Sequence, residues 1–170
     1  VGWGRLNVTV RRLEPADVTA ISQIFGWYAV NSMATFEETP RSDGAWDELR
    51  VATASRELPF LVAEADGAVC GYAYAAPWRG KPAYRHTVED SVFIAPGLTG
   101  HGIGRKLLTE LLTAAAAAGA RQMIAVIADT GDAASTGLHA ACGFAPAGRL
   151  RSVGYKHGQW IDTLLMQREL

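Results

Sequence analysis

Cysteine is scarce: only Cys70 and Cys142 occur in 170 residues. They stand singly in apolar surroundings, with neither the paired spacing of a zinc site nor the even framework of a disulfide-stapled domain. Two buried, reduced thiols and a cytoplasmic location are the expectation. No apolar run approaches the roughly 20 residues of a membrane helix, and the longest small-residue run, Ala114 to Ala118, reads as helix filler. The first residues, Val1-Gly2-Trp3-Gly4-Arg5, lack the apolar stretch and cleavage site of a secretory leader. Charge of one sign is missing too. Sixteen Lys plus Arg against seventeen Asp plus Glu leave a net charge of −1, which argues against binding nucleic acid through bulk charge. No His, Cys, Asp and Glu grouping has metal-ligand spacing, so no metal is expected.

What is present describes one folded domain, residues 1–170. Apolar residues are 49% and charged residues 19%. A chain of this length buries about 70% of its unfolded surface and needs no staple. Alternation of Leu6, Val8 and Val10 predicts a half-buried strand over Leu6 to Leu13. Pro15 and Asp17 open a helix that keeps apolar spacing through Val18, Ile21, Ile24, Phe25 and Tyr28 to about Asn31. Ser42 caps a second helix, about Asp43 to Arg56. The period then falls to two: Phe60 to Ala65 and Ala68 to Ala76 form a hairpin across Asp66-Gly67, and Thr87 to Ala95 is another strand.

Gly102 to Ala118 reads as an amphipathic helix ended by Gly119. Met123 to Ala128 reads as a strand buried on both faces. Asp132 to Cys142 is a further helix, stopped by Gly143. Strands at about Ala147 to Val153 and Trp160 to Gln167 meet across Lys156-His157-Gly158. The order β-α-α-β-β-β-α-β-α-β-β implies an α/β fold, a mixed sheet with helices on both faces.

The sharpest local signal is Gly100-His101-Gly102-Ile103-Gly104-Arg105-Lys106, between a strand and a helix. Glycines let backbone N–H groups converge without Cβ obstruction, and a helix start adds unpaired donors, so the place suits a phosphate. His101, Arg105 and Lys106 add charge. A Walker loop fails because Arg105-Lys106-Leu107 follows Gly104. A dinucleotide fingerprint fails because its third glycine would fall at Arg105. A glycine-rich helix start that binds nothing stays open.

Thr99-x-x-Gly102-x-Gly104 resembles the pyrophosphate loop of the GNAT N-acetyltransferases, whose motif is Gln/Arg-x-x-Gly-x-Gly/Ala; Thr99 departs from it. Further strings resemble one branch, the phosphinothricin and methionine sulfoximine/sulfone acetyltransferases. They are Asn31-Ser32-x-x-Thr35-Phe36-Glu37, Gly71-Tyr72-Ala73, Pro77-Trp78-Arg79, Ala83-Tyr84-Arg85-His86-Thr87-Val88-Glu89, Gly137-Leu138-His139, Cys142-Gly143-Phe144 and Gly154-Tyr155-Lys156-His157-Gly158. The seven strings run in order from Asn31 to Gly158, and the resemblance extends over about residues 8–168. The resemblance implies the GNAT fold, a mostly antiparallel central sheet of about seven strands with helices on both faces. It implies acetyl-CoA as co-substrate, a small amine substrate and a homodimer that helps shape the substrate site.

Acetyl transfer from a thioester to an amine needs a base for the ammonium proton and a donor for the oxyanion. Glu89 and Asp90, adjacent on a strand, point to opposite faces, so only one is expected to face the cleft. The resemblance selects Glu89 as general base. The alternative is a carboxylate paired with Arg85 or His86. Five residues from Glu89 to Ile94 span roughly 16 Å, much of the reach of a pantetheine arm.

The resemblance further assigns backbone contacts with the cofactor to Val92, Phe93 and Ile94. It places Gly100, His101, Gly102, Ile103, Gly104 and Arg105 at the pyrophosphate, with Asp132 and Ser135 nearby; Asp132 reads equally as a helix cap. His139 stands where many relatives carry a Tyr proposed to protonate the leaving thiolate, and it reads also as a structural His. Phe36, Trp78, Arg79, Tyr84, Arg85 and His86 are the candidate substrate pocket, an Arg matching a substrate carboxylate in bidentate fashion. Two other readings remain open: acetylation of another amine or a protein N-terminus, and a non-catalytic acyl-CoA-binding regulatory domain.

Overall fold

The computed structural model describes residues 7–170. The strands are β1 (Val8–Arg12), β2 (Phe60–Ala65), β3 (Ala68–Pro77), β4 (Thr87–Ile94), β5 (Gln122–Ala128), β6 (Ala145–Lys156) and β7 (Gln159–Glu169). The helices are α1 (Val18–Asn31), α2 (Asp43–Ser55), α3 (Ile103–Ala117) and α4 (Ala134–Ala141). The seven strands form one sheet in the order β1-β2-β3-β4-β5-β7-β6. Every neighbouring pair is antiparallel except β4 and β5. This is the α/β architecture expected of the sequence pattern; Leu6, the expected start of the first strand, lies outside the described residues.

Each face of the sheet has its own core. On one side Ile21 and Phe25 of α1 and Trp46 of α2 pack on Phe60, Val62 and Tyr72. On the other, Leu107, Leu108 and Leu111 of α3 pack on Ala63, Ala73, Val88 and Met123. Both faces follow from the predicted periods, 3.6 in the helices and two in the strands. Ser42 accepts a hydrogen bond from the Ala45 N–H at 3.2 Å and caps α2 as expected. Asp66-Gly67 and His157-Gly158 both turn with positive φ (51° and 77°, 49° and 74°), the twist that two-residue hairpins require.

Three expectations need correction. β5 is not buried on both faces: Met123, Ala125 and Ile127 are buried, but Val126 is 41% exposed, because the α1–α2 core reaches only as far as β4. α4 starts at Ala134 rather than Asp132, since the Asp132 carboxylate accepts the Ala134 N–H at 3.0 Å and turns the chain just before the helix. β6 is twelve residues long, beginning at Ala145 and ending at Lys156. Its pairing with β7 slips between Pro146 and Gly148 and again between Leu150 and Gly154, so its alternation is broken and its true length hidden.

Candidate active site

β4 and β5 are paired through only three residues, Thr87–Glu89 with Gln122–Ile124. Beyond them β4 follows β3 as far as Ile94 opposite Gly71, and β5 follows β7 as far as Ala128 opposite Thr163. The two strands therefore part just past Glu89. A cleft of about 1370 Å³ fills the divergence, bordered by β4, β5, the α3 and α4 starts, and the loop after α1.

Backbone alternation decides what β4 offers this cleft. Trp78 N–H donates to Thr87 O, and Ala95 N–H donates to Cys70 O. On this register the odd residues of β4 exchange their backbone bonds with β3, while the groups of the even residues point toward β5. Val92 thus presents both its N–H and its C=O to the gap. Phe93, expected to do the same, is committed to β3. The Ile94 carbonyl, also expected to be free, accepts the Tyr28 hydroxyl at 2.8 Å. Tyr28 was not among the expected site residues, and a partner 66 positions away leaves no local trace.

The glycine loop lies at the other end. Gly100 and Gly102 take φ of 82° and 79°, the left-handed region that favours glycine. The first helical bond of α3 runs from Lys106 N–H to Gly102 O, so the N–H groups of Ile103, Gly104 and Arg105 precede the ladder. Gly100, Gly102, Ile103, Gly104 and Arg105 all border the cleft. His101 is exposed and lies off its wall, and Lys106 turns away to donate its Nζ–H to Val8 O. What the loop offers an anion is therefore backbone N–H groups, with Arg105 as the neighbouring side-chain cation on the cleft wall.

Glu89 and Asp90 do point to opposite faces, yet both border the cleft, because a gap between two strands opens onto both sides of the sheet. Burial pushes the Glu89 carboxyl above its ordinary value, and the Asp90 charge pushes it the same way. The alternative pairing of Glu89 with Arg85 or His86 is not made. Arg85 donates to Pro82 O, and the His86 Nδ1–H donates to Gly119 O at 3.3 Å.

Asp90 is the paired acid. Its Oδ2 lies 2.8 Å from Nε2 of His139, whose Nδ1–H donates to Ser135 O at 2.7 Å. Both side chains are buried. Burial alone would lower the His139 pKa, but Asp90 and the Ser135 carbonyl outweigh it and raise it, favouring an imidazolium–carboxylate pair. The second Asp90 oxygen, Oδ1, is buried without a hydrogen-bond partner among the described residues. Asp132 and Ser135 both line the cleft, and Ser135 touches the pair through its carbonyl.

The expected substrate pocket is divided. Phe36 borders the cleft; Trp78, Arg79, Tyr84, Arg85 and His86 do not. These five belong to the β3–β4 connection, where the Arg79 guanidinium lies 5.1 Å from the Trp78 ring centre. Arg79 and Tyr84 line a separate shallow depression with Gly80 and Lys81.

Comparison with known proteins fits this geometry. Residues 21–144 match the Acetyltransferase (GNAT) family. The chain belongs to that family. It is similar to the phosphinothricin N-acetyltransferase of Alcaligenes faecalis, 48% identical over 170 residues covering all of this chain and 86% of the relative. It is also similar to the L-methionine sulfoximine/L-methionine sulfone acetyltransferase of Salmonella typhimurium, at 37% identity over 96% of this chain and 95% of the relative. Among solved structures, a GNAT superfamily phosphinothricin acetyltransferase from Sinorhizobium meliloti, in complex with acetyl-CoA, superposes with a TM-score of 0.93. It is 42% identical, over 97% of this chain and 89% of that one. The fold is the GNAT fold and the chain is an N-acetyltransferase. Among the described residues, no helix is long and apolar enough to cross a membrane.

Proposed function

We propose that this domain transfers the acetyl group of acetyl-CoA to the amino group of a small amino-acid-like substrate such as phosphinothricin or methionine sulfoximine/sulfone. The observation that carries the reading is the parting of β4 and β5 between the backbone N–H groups of the glycine loop and a half-buried carboxylate, Glu89, that has no partner among the described residues. The pyrophosphate lies over the N–H groups at the α3 start. The pantetheine arm runs along the gap, bonded to the free backbone carbonyl of Val92, and brings the thioester beside Glu89. Among the relatives, those named for phosphinothricin and methionine sulfoximine/sulfone support the substrate class.

Glu89, directly or through one water, takes a proton from the substrate ammonium. The amine then attacks the thioester carbon, and the Val92 N–H, which points into the gap, is the donor assigned to the oxyanion. The tetrahedral intermediate collapses by breaking the C–S bond. A thiol of pKa about 8.5 leaves readily, so acid assistance is the smaller contribution. Both His139 N–H groups are engaged, by Asp90 and by the Ser135 carbonyl, so the leaving thiolate takes its proton from water in the cleft and His139 holds Asp90 in place. Assaying CoA release across amino acids, other amines and N-terminal peptides tests the proposal. Turnover confined to peptides, or acetyl-CoA binding with no turnover, contradicts it.

Gly102→Val tests the loop. A β-branched residue at φ 79° is strained, and its side chain crowds the anion site. The strain costs the fold roughly 1–3 kcal/mol, and acetyl-CoA affinity is expected to fall because the valine side chain stands where the diphosphate would sit. Unchanged affinity by calorimetry in a folded variant excludes the loop as the cofactor seat.

The reading extends to a cytoplasmic homodimer. Tyr155 and Trp160, at the β6–β7 hairpin, are 58% and 69% exposed with ring centres 4.9 Å apart. Leu150 and Val153 on β6 are exposed as well. Such surface is a candidate contact between copies. A second copy also gives the Trp78–His86 segment a route to the substrate end that it lacks within one chain. Light scattering at micromolar concentration is expected to give twice the 18.2 kDa chain mass; a monomer mass contradicts it. Free, buried Cys70 and Cys142 fit a reducing compartment, and cell fractionation checks the location.

A further inference from the structure

We propose that Lys156 and Gly154 of β6 form a clamp that sets the position of Phe36 and so fixes the amino-acid end of the cleft; the inference rests on the amino-acid acetyltransferase reading above. Phe36 lies in an irregular segment between α1 and α2, and its ring borders the cleft while 41% exposed. Local bonds shape only the backbone around it. Thr35 Oγ1 accepts the Glu37 N–H at 3.2 Å, and Arg41 donates to the Glu37 carboxylate at 2.8 Å. Neither touches the ring.

The ring is fixed from 120 residues away. Lys156 Nζ donates to Thr35 O at 2.8 Å and to Glu37 O at 2.7 Å, the carbonyls on either side of Phe36. Lys156 is only 2% exposed. An ammonium is withdrawn from water at a cost that only such bonds offset. Burial accordingly pushes its pKa down, opposed by the charges of Glu38 and Glu37. Two residues earlier Gly154 faces the ring itself. A Cβ there would lie 2.4, 2.5 and 2.8 Å from ring atoms Cζ, Cε2 and Cε1 of Phe36. The ring therefore packs directly on the Gly154 backbone, a contact that any side chain prevents.

Period two along β6 places both residues on one face of the hairpin. His157 and Gln159, at the same hairpin end, border the cleft with Thr35, Phe36 and Glu37. Lys156 and Gly154 are thus positioning residues: they touch neither the thioester nor the amine, and they act through the aromatic wall.

The test uses the full chain with acetyl-CoA and either methionine sulfone or phosphinothricin. Lys156→Met and Gly154→Ala are each expected to lower kcat/KM for the amino acid about 10–100-fold, mainly through KM, with acetyl-CoA affinity unchanged. Gly154→Ala is expected to be harmful in the natural background and neutral once Phe36→Ala has removed the ring. A second readout needs no substrate. With 4-fluorophenylalanine incorporated at the five Phe positions, the Phe36 fluorine resonance, assigned by Phe36→Leu, shifts in both variants.

An unmoved Phe36 resonance, or equal harm from Gly154→Ala with and without the ring, overturns the clamp. Should Lys156→Met fail to fold, the Gly154→Ala and Phe36→Ala cycle decides alone. A natural chain inactive on every amino acid, with the Phe36 resonance still moving, overturns the substrate reading and supports the clamp.

Discussion

Glu89→Gln is expected to lower kcat at saturating substrates by about 10²–10⁴-fold, or roughly 3–5 kcal/mol of barrier, while acetyl-CoA still binds. The substitution keeps shape and removes the proton acceptor. Its effect on stability runs the other way. Among the described residues no cation or hydrogen bond stabilises the Glu89 charge; burial and Asp90 both oppose it. A carboxyl whose folded pKa is raised contributes stability below its unfolded value and loses it as pH climbs through the folded one. At neutral pH the ionised Glu89 is therefore a cost to the fold, so the glutamine protein is expected to melt no lower than the natural one, and somewhat higher.

A structural carboxylate would give the reverse pattern, a lower Tm with near-normal turnover. The same raised pKa sets the acid limb of the pH profile of kcat/KM. A base must be ionised to act, so this limb is expected above the ordinary glutamate range and to vanish in Glu89→Gln. Partial recovery of the variant at higher pH, where more substrate arrives as free amine, would accompany it.

Asp90→Asn is expected to cost about 3 kcal/mol of stability near pH 6, roughly 6–12 °C in Tm. The variant leaves His139 buried without its counter-ion, and the imidazole responds by losing its proton. The pair's contribution has a definite pH window. Because the folded His139 pKa is raised, the natural protein has this stability in full below the unfolded value, about 6.5. It loses it as pH rises through the folded value. The Tm gap between natural and variant protein is therefore expected to be widest in mild acid and to narrow on the alkaline side. Removing the Asp90 charge also relieves Glu89, so the acid limb of activity shifts to lower pH in Asp90→Asn. Thermal melts at a series of pH values check the first claim and a pH–rate profile the second. A gap that widens with rising pH contradicts the pairing.

Much of this was legible in the sequence, and the parts that were not share a cause. The glycine loop could be read because positive φ at Gly100 and Gly102 demands a residue type that shows in the text. Opposite facing of Glu89 and Asp90 followed from strand geometry alone. That both would border the cleft did not follow. Where β4 and β5 part depends on the neighbours each strand keeps, β3 for β4 and β7 for β5, and no residue near Glu89 marks it.

Contacts across long separations were equally silent: Asp90 with His139 over 49 positions, Tyr28 with Ile94 over 66, Lys156 with Thr35 over 121. The Gly154 to Gly158 string was visible and carried the resemblance. What it does, letting a ring in at Gly154 and tying two carbonyls at Lys156, needed the fold. The resemblance grouped Phe36 with Trp78 through His86; within one chain the fold separates them.

The central claim is that the parted strands seat acetyl-CoA with its acyl end beside Glu89. The most direct measurement is a crystal structure of the chain with CoA and the amino acid that it acetylates fastest. The account predicts the pyrophosphate on the N–H groups of residues 102–105 and the pantetheine between β4 and β5, bonded to Val92. The substrate amine should lie within hydrogen-bond reach of Glu89, directly or through one water, roughly 2.6–3.2 Å per contact. A CoA seated away from the glycine loop, or an amine with no path to Glu89, would contradict it.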